Sequence, residues 1–124
     1  MPRVIHFEIP AENPERAAKF YADTFGWEIK KWEGPQPYWL VRTGPDTEPG
    51  INGGIYKQER KDQRVANSIR VEDIEIQLEK VKKNGGIVEG EIMDIPRVGR
   101  YAPARDTEGN TFTMLQPAPH AKMM

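Results

Sequence analysis

The 124-residue chain contains no cysteine. That excludes disulfides, thiolate nucleophiles and thiolate zinc sites, so any chemistry rests on oxygen and nitrogen side chains. Charge of one sign is not in excess, since 18 Lys and Arg stand against 19 Asp and Glu. Such a balance does not neutralise a run of phosphates, and no basic stripe with interleaved aromatics is present, so nucleic acid is not an expected partner. No apolar run approaches the ~20 residues that a helix needs to cross a bilayer. The N-terminus also lacks the pattern of a secretory signal. A cytoplasmic protein with no membrane partner is expected. Histidine is scarce too, and of the two in the chain only His6 falls in a segment patterned for regular structure.

Turn formers are abundant, with 11 Gly and 11 Pro, which implies short elements and frequent reversals. From Val4 to Ile9 the sequence VIHFEI alternates with period two. Its Ile5, Phe7 and Ile9 face suits packing on a helix, and its other face carries His6 and Glu8, an unusual pair unless it lines water or a cavity. Pro10 ends the strand. Asn13 is placed to cap a helix with Pro14 in its first turn and Glu15 at its positive end; Ala17, Phe20, Tyr21 and Thr24 form the expected buried stripe, and Gly26 the stop. Strands are then expected over Trp27–Trp32, Tyr38–Thr43 and Ile51–Lys57. Tyr38 and Trp39 alternate faces, so one of them lines any pocket on this sheet. Asn52, Gly53 and Gly54 permit a bend, a bulge or close approach of backbone or ligand.

The second half repeats this order in fainter form. ERKDQR, from Glu59 to Arg64, is a charged bridge. Placing Val4 on Ala66 sets Ser68 against His6 and Arg70 against Glu8. Asp73 can cap a helix with Ile74, Leu78 and Val81 on one side, stopped by Gly85-Gly86. Strands are expected over Ile87–Glu91, Gly99–Ala104 and Thr111–Gln116, the last after the turn DTEGN. The reading is one α+β domain over 1–124, built from two tandem βαβββ modules of about 3–58 and 65–117. Each module should form a curved mixed sheet with its helix on the outer face, and the sheets should enclose a cavity.

The segments HFEIP, NPERAAKFY, FGW and DTEGNTFTMLQ resemble the vicinal-oxygen-chelate superfamily, which contains glyoxalases, extradiol dioxygenases and the fosfomycin- and bleomycin-resistance proteins. The chain looks closest to small proteins related to lactoylglutathione lyase. The resemblance spans roughly Val4 to Pro117 and implies paired βαβββ modules, a cavity and a homodimer. Trp27, Trp32 and Trp39 are candidates for its interface or cavity wall. In metal-dependent relatives the ligands lie at strand positions that match Val4, Gly54, Ala66 and Thr113 here. None of these is His, Glu or Gln, so no metal and no cofactor is expected.

His6 and Glu8 are the candidate acid–base residues. Trp39, Asn52, Tyr56, Ser68, Arg70, Thr111 and Thr113 are the candidate ligand-binding residues. Arg70 could fork onto a ligand carboxylate or pair with Glu8. Asp106, Glu108 and Asn110 are read as turn formers. Three functions follow in order: metal-independent binding of a small organic molecule, a lyase or isomerase using His6 and Glu8, and a metal-dependent lyase or dioxygenase.

Overall fold

The computed structural model describes residues 1–119. The elements run β1 (Arg3–Ala11), α1 (Pro14–Phe25), β2 (Glu28–Lys31), β3 (Tyr38–Arg42), β4 (Asn52–Lys57), β5 (Ala66–Arg70), α2 (Ile74–Lys83), β6 (Ile87–Val88), β7 (Met93–Ile95), β8 (Gly99–Arg105) and β9 (Thr111–Pro117). The described chain divides into two compact units, one of residues 6–65 and one of residues 66–119 together with 1–5. The secondary structure is α+β, with a mixed sheet and one helix in each half.

In the first half the strand order is β2-β3-β4-β1. β1 and β4 are parallel, and the other neighbours are antiparallel. Register assigns every side chain to a face, because directly paired residues project to the same side. The pairs Phe7–Gly53, Ile9–Ile55, Trp39–Ile55 and Val41–Gly53 define the face that carries the helix. Ile55 and Val41 are fully buried on it. The helix is delimited as its sequence suggests. Asn13 accepts a hydrogen bond from the Arg16 N–H at 3.0 Å, and Gly26 closes the helix in the left-handed region at φ 74°. Its stripe differs from expectation, since Phe20 and Thr24 are exposed whereas Ala17, Ala18, Tyr21 and Ala22 are half-buried. Tyr21 stacks on Trp27 with centroids 5.1 Å apart, and Trp27 meets Phe7 at 6.0 Å. Small alanines let the helix approach, and one ring fills the remaining gap.

The second half repeats the plan as β5-β9-β8, with β6 and β7 both paired to β8. Its core is Val71, Ile74, Leu78, Ala102, Ala104 and Met114, between sheet and helix. Of the strand expected over Ile87–Glu91 only Ile87–Val88 forms, and a further short strand, Met93–Ile95, follows after residues 89–92. Pro103 explains the break. Its carbonyl accepts the Glu89 N–H at 3.1 Å, but with no N–H of its own it returns nothing, and the ladder parts there. Asp73 caps α2 by accepting from the Glu75 and Ile76 N–H groups, each at 3.1 Å, and Gln116 of β9 accepts from the Ile74 N–H at 3.0 Å.

Candidate functional site

On the helix-free face of the first sheet, register sets His6 beside Asn52, Glu8 beside Gly54, and Tyr38 opposite Tyr56. The Tyr38 hydroxyl lies 2.7 Å from His6 Nε2 and also hydrogen-bonds the Glu8 carboxyl. It therefore bridges two residues that share a strand without touching each other. Burial pushes the His6 imidazole down to about 4. Burial also pushes the Glu8 carboxyl up to about 7, and the Tyr38 hydrogen bond offsets part of that rise. At neutral pH the imidazole is uncharged and the carboxyl exchanges readily between its two states, which suits a group that both takes and returns a proton.

The neighbouring glycines hold this arrangement in place. A methyl group on Gly54 would overlap the Tyr38 hydroxyl and ring, and one on Gly53 would overlap the Phe7 ring on the opposite face. The pair pursues a regular strand register, so the expected bend or bulge is replaced by close ring approach from both sides. Trp32 supports Tyr38 edge-on at 6.1 Å.

Among the candidate residues, the structure brings His6, Glu8, Asn52 and Tyr56 together on this face. Burial raises the Tyr56 phenol, and the negative charge of Glu8 adds to the rise. Trp39 is a correction: it pairs with Ile55 on the helix-bearing face, with Lys31 Nζ 5.5 Å from its ring centroid. Tyr38 takes the pocket-facing position instead. Beside Asn52 a cavity of about 260 Å³ is lined by Glu28, Ile29, Lys30, Leu40 and Arg42.

In the second half, Ser68 and Thr113 are direct register partners, both buried, and the Thr113 hydroxyl has no hydrogen-bond partner among the described residues. Thr111 donates to Glu89 at 3.3 Å, and that carboxylate already pairs with Arg105 at 2.8 Å. Thr111 therefore belongs to a structural ion pair. Arg70 ends β5 exposed. Asp106 accepts from the Glu108 and Asn110 N–H groups at 2.9 Å, as a turn former should. A further cavity of about 270 Å³ borders Arg100, but that guanidinium is engaged by Glu75 at 2.7 Å and Asp94 at 3.6 Å.

The four positions that match the metal ligands of related folds do not fit a divalent cation. Val4 and Ala66 carry no donor, the space at Gly54 is filled by the Tyr38 ring, and Thr113 offers a single hydroxyl. Among the described residues no three His, Asp or Glu side chains converge, so no step is routed through a metal.

The family model described as Glyoxalase/Bleomycin resistance protein/Dioxygenase superfamily matches residues 3–114. The chain belongs to this superfamily. This superfamily member is 39% identical over 117 residues to a glyoxylase-like domain-containing protein of Didymella fabae, covering 86% of this chain and 88% of that one. Its fold resembles a hypothetical protein of Bacillus halodurans C-125, with TM-score 0.71, 14% identity and 98% of both chains covered. It also resembles Streptomyces coelicolor methylmalonyl-CoA epimerase, solved with 2-nitronate-propionyl-CoA, with TM-score 0.72, 15% identity and 97% of both chains covered. The family resemblance read from HFEIP, NPERAAKFY and DTEGNTFTMLQ is thereby borne out. Tyr38 joins the site although the sequence pattern alone does not single it out. The only signal for Tyr38 was strand alternation, which left it and Trp39 as equal candidates. No helix among the described residues is long and apolar enough to cross a membrane.

Proposed function

We propose that this protein binds a small organic molecule without a metal and moves a proton on it, as an isomerase or lyase. The observation that carries this reading is the Tyr38 hydroxyl joining His6 to Glu8. A pure binding site has no use for a half-titrated carboxyl wired through a phenol to an imidazole. Glu8 as carboxylate takes the proton from a carbon next to a carbonyl, leaving an enolate and a neutral carboxylic acid. Once Glu8 is protonated and Tyr38 donates to His6 Nε2, the uncharged ring carries its proton on Nδ1, and that N–H stabilises the enolate oxygen until Glu8 returns its proton to the carbon. That some fold neighbours are epimerases is compatible with this chemistry, although at such low identity they share the fold alone. The same proposal includes a homodimer, read out by native mass spectrometry.

The test is solvent deuterium wash-in at the α-carbon of small carbonyl compounds, followed by proton NMR. Wild-type protein should accelerate exchange, and Glu8→Gln should slow it by about a hundredfold or more. Exchange at wild-type rate in Glu8→Gln would overturn the reaction. A compound that binds and leaves unexchanged would reduce the protein to a binder.

A further inference from the structure

We propose that the cavity lined by Lys30, Arg42 and Asn52 is a subsite for the carboxylate of a small organic acid, which holds the acid's reactive end at His6, Tyr38 and Glu8. The inference rests on the proton-transfer reading above and names its substrate class. Three observations support it. Asn52 is nearly buried, and its Oδ1 accepts from the Thr43 N–H at 2.9 Å, while the Thr43 hydroxyl gives its one proton to the Ile51 carbonyl at 2.7 Å. The first bond fixes the amide orientation and leaves its Nδ2 donors without a protein partner among the described residues. Lys30 makes no ion pair among the described residues, while Arg42 meets only Asp46 at 3.6 Å, with its side chain 44% exposed. Finally, Asn52 is the register partner of His6, and Leu40 the partner of Gly54, which in turn pairs with Glu8. Neighbouring strands lie ~4.8 Å apart, so an acid held over Asn52 is one strand from His6, and over Leu40 two strands from Glu8.

Charge decides which anion fits. Lys30 and Arg42 supply two cations, and Glu28 on the cavity wall and Asp46 beside Arg42 supply two opposing charges. A site so nearly balanced suits a monoanion better than a phosphate dianion, and a guanidinium fork matches the two carboxylate oxygens. The cavity of about 260 Å³ suits a small acid.

The experiment is an amide NMR titration of the full chain with pyruvate, methyl pyruvate and inorganic phosphate. Pyruvate should shift the Asn52 side-chain amide saturably, methyl pyruvate should not, and phosphate should bind more weakly than pyruvate. Lys30 and Arg42 project from the sheet surface, so Lys30→Ala and Arg42→Ala should keep the native spectrum while each weakens pyruvate about tenfold. No saturable shift with pyruvate, equal binding of the ester, tighter binding of phosphate, or unchanged affinity in both variants would overturn the subsite. Glu8→Gln separates the two proposals. Pyruvate bound by wild type and by this variant, with no deuterium exchange in wild type, keeps the subsite and removes the reaction. Exchange undiminished at limiting substrate in the Lys30→Ala/Arg42→Ala double variant keeps the reaction and removes the subsite.

Discussion

The Tyr38 hydroxyl sits 2.7 Å from His6 Nε2 and bonds the Glu8 carboxyl with the same oxygen. A phenol has one proton, so it donates to only one of them at a time. With Glu8 ionised, Tyr38 donates to the carboxylate and accepts from the imidazole N–H. With Glu8 protonated, the direction reverses and His6 Nε2 becomes the acceptor. The charge of the carboxyl thus sets the tautomer of the ring.

Tyr38→Phe tests this link. The Tyr38 hydrogen bond lowers the Glu8 midpoint, which burial alone would set higher than about 7. Removing the hydroxyl should therefore raise that midpoint by about one pH unit. Carbon-13 NMR of the glutamate carboxyl reads the change, and an unmoved midpoint would remove Tyr38 from the network.

Stability against pH should show two opposed slopes. Glu8 is raised from its ordinary 4.5 to about 7, so the native state keeps its proton longer and stability falls as pH rises across that window. His6 is lowered from 6.5 to about 4, so stability is lost as pH falls from 6.5 towards 4. Each slope is about 1.4 kcal/mol per pH unit, and the two cancel where the windows overlap. Glu8→Gln should expose stability rising with pH up to 6.5. His6→Asn should expose stability falling from 4.5 to about 7. Urea unfolding at several pH values decides the matter, and parallel curves for the variants and wild type would contradict both assignments.

Alanine at the two glycines should have different consequences. The Phe7 ring over Gly53 is confined between sheet and helix, so Gly53→Ala should cost about 3 kcal/mol in denaturant unfolding. Over Gly54 the Tyr38 ring can swing toward the open face. Gly54→Ala should cost about 1 kcal/mol and abolish the His6 contact, seen as a change in the imidazole NMR titration. Equal costs would mean that both rings are equally trapped.

Chelation should have no effect. Because the four matched positions lack a convergent donor set, EDTA or added zinc should leave the melting temperature unchanged. A zinc-dependent rise that disappears in His6→Asn would reveal a site around that ring.

Local chemistry made much of the fold legible. Asn13, Pro14, Gly26 and Asp73 mark helix ends through backbone groups within a few residues, and alternation in VIHFEI fixes the face of His6. What escaped depends on partners distant in sequence. Phe20 follows helical spacing yet points outward, because Ala18, Tyr21 and Ala22 already bring the helix down onto the sheet. Choosing Tyr38 over Trp39 requires the register of β3 on β4. The break between β6 and β7 depends on Pro103 in the neighbouring strand. His6 and Glu8 were readable as a pair facing one way, but the phenol that couples them comes from another strand.

The bond from the Ile74 N–H to Gln116 spans 42 positions. The opening turn of α2 is thus completed by a residue near the end of the described chain. During synthesis that turn stays open until Gln116 has left the ribosome. Nonsense products ending before Gln116 should be recognised by proteases even though every helical residue is present.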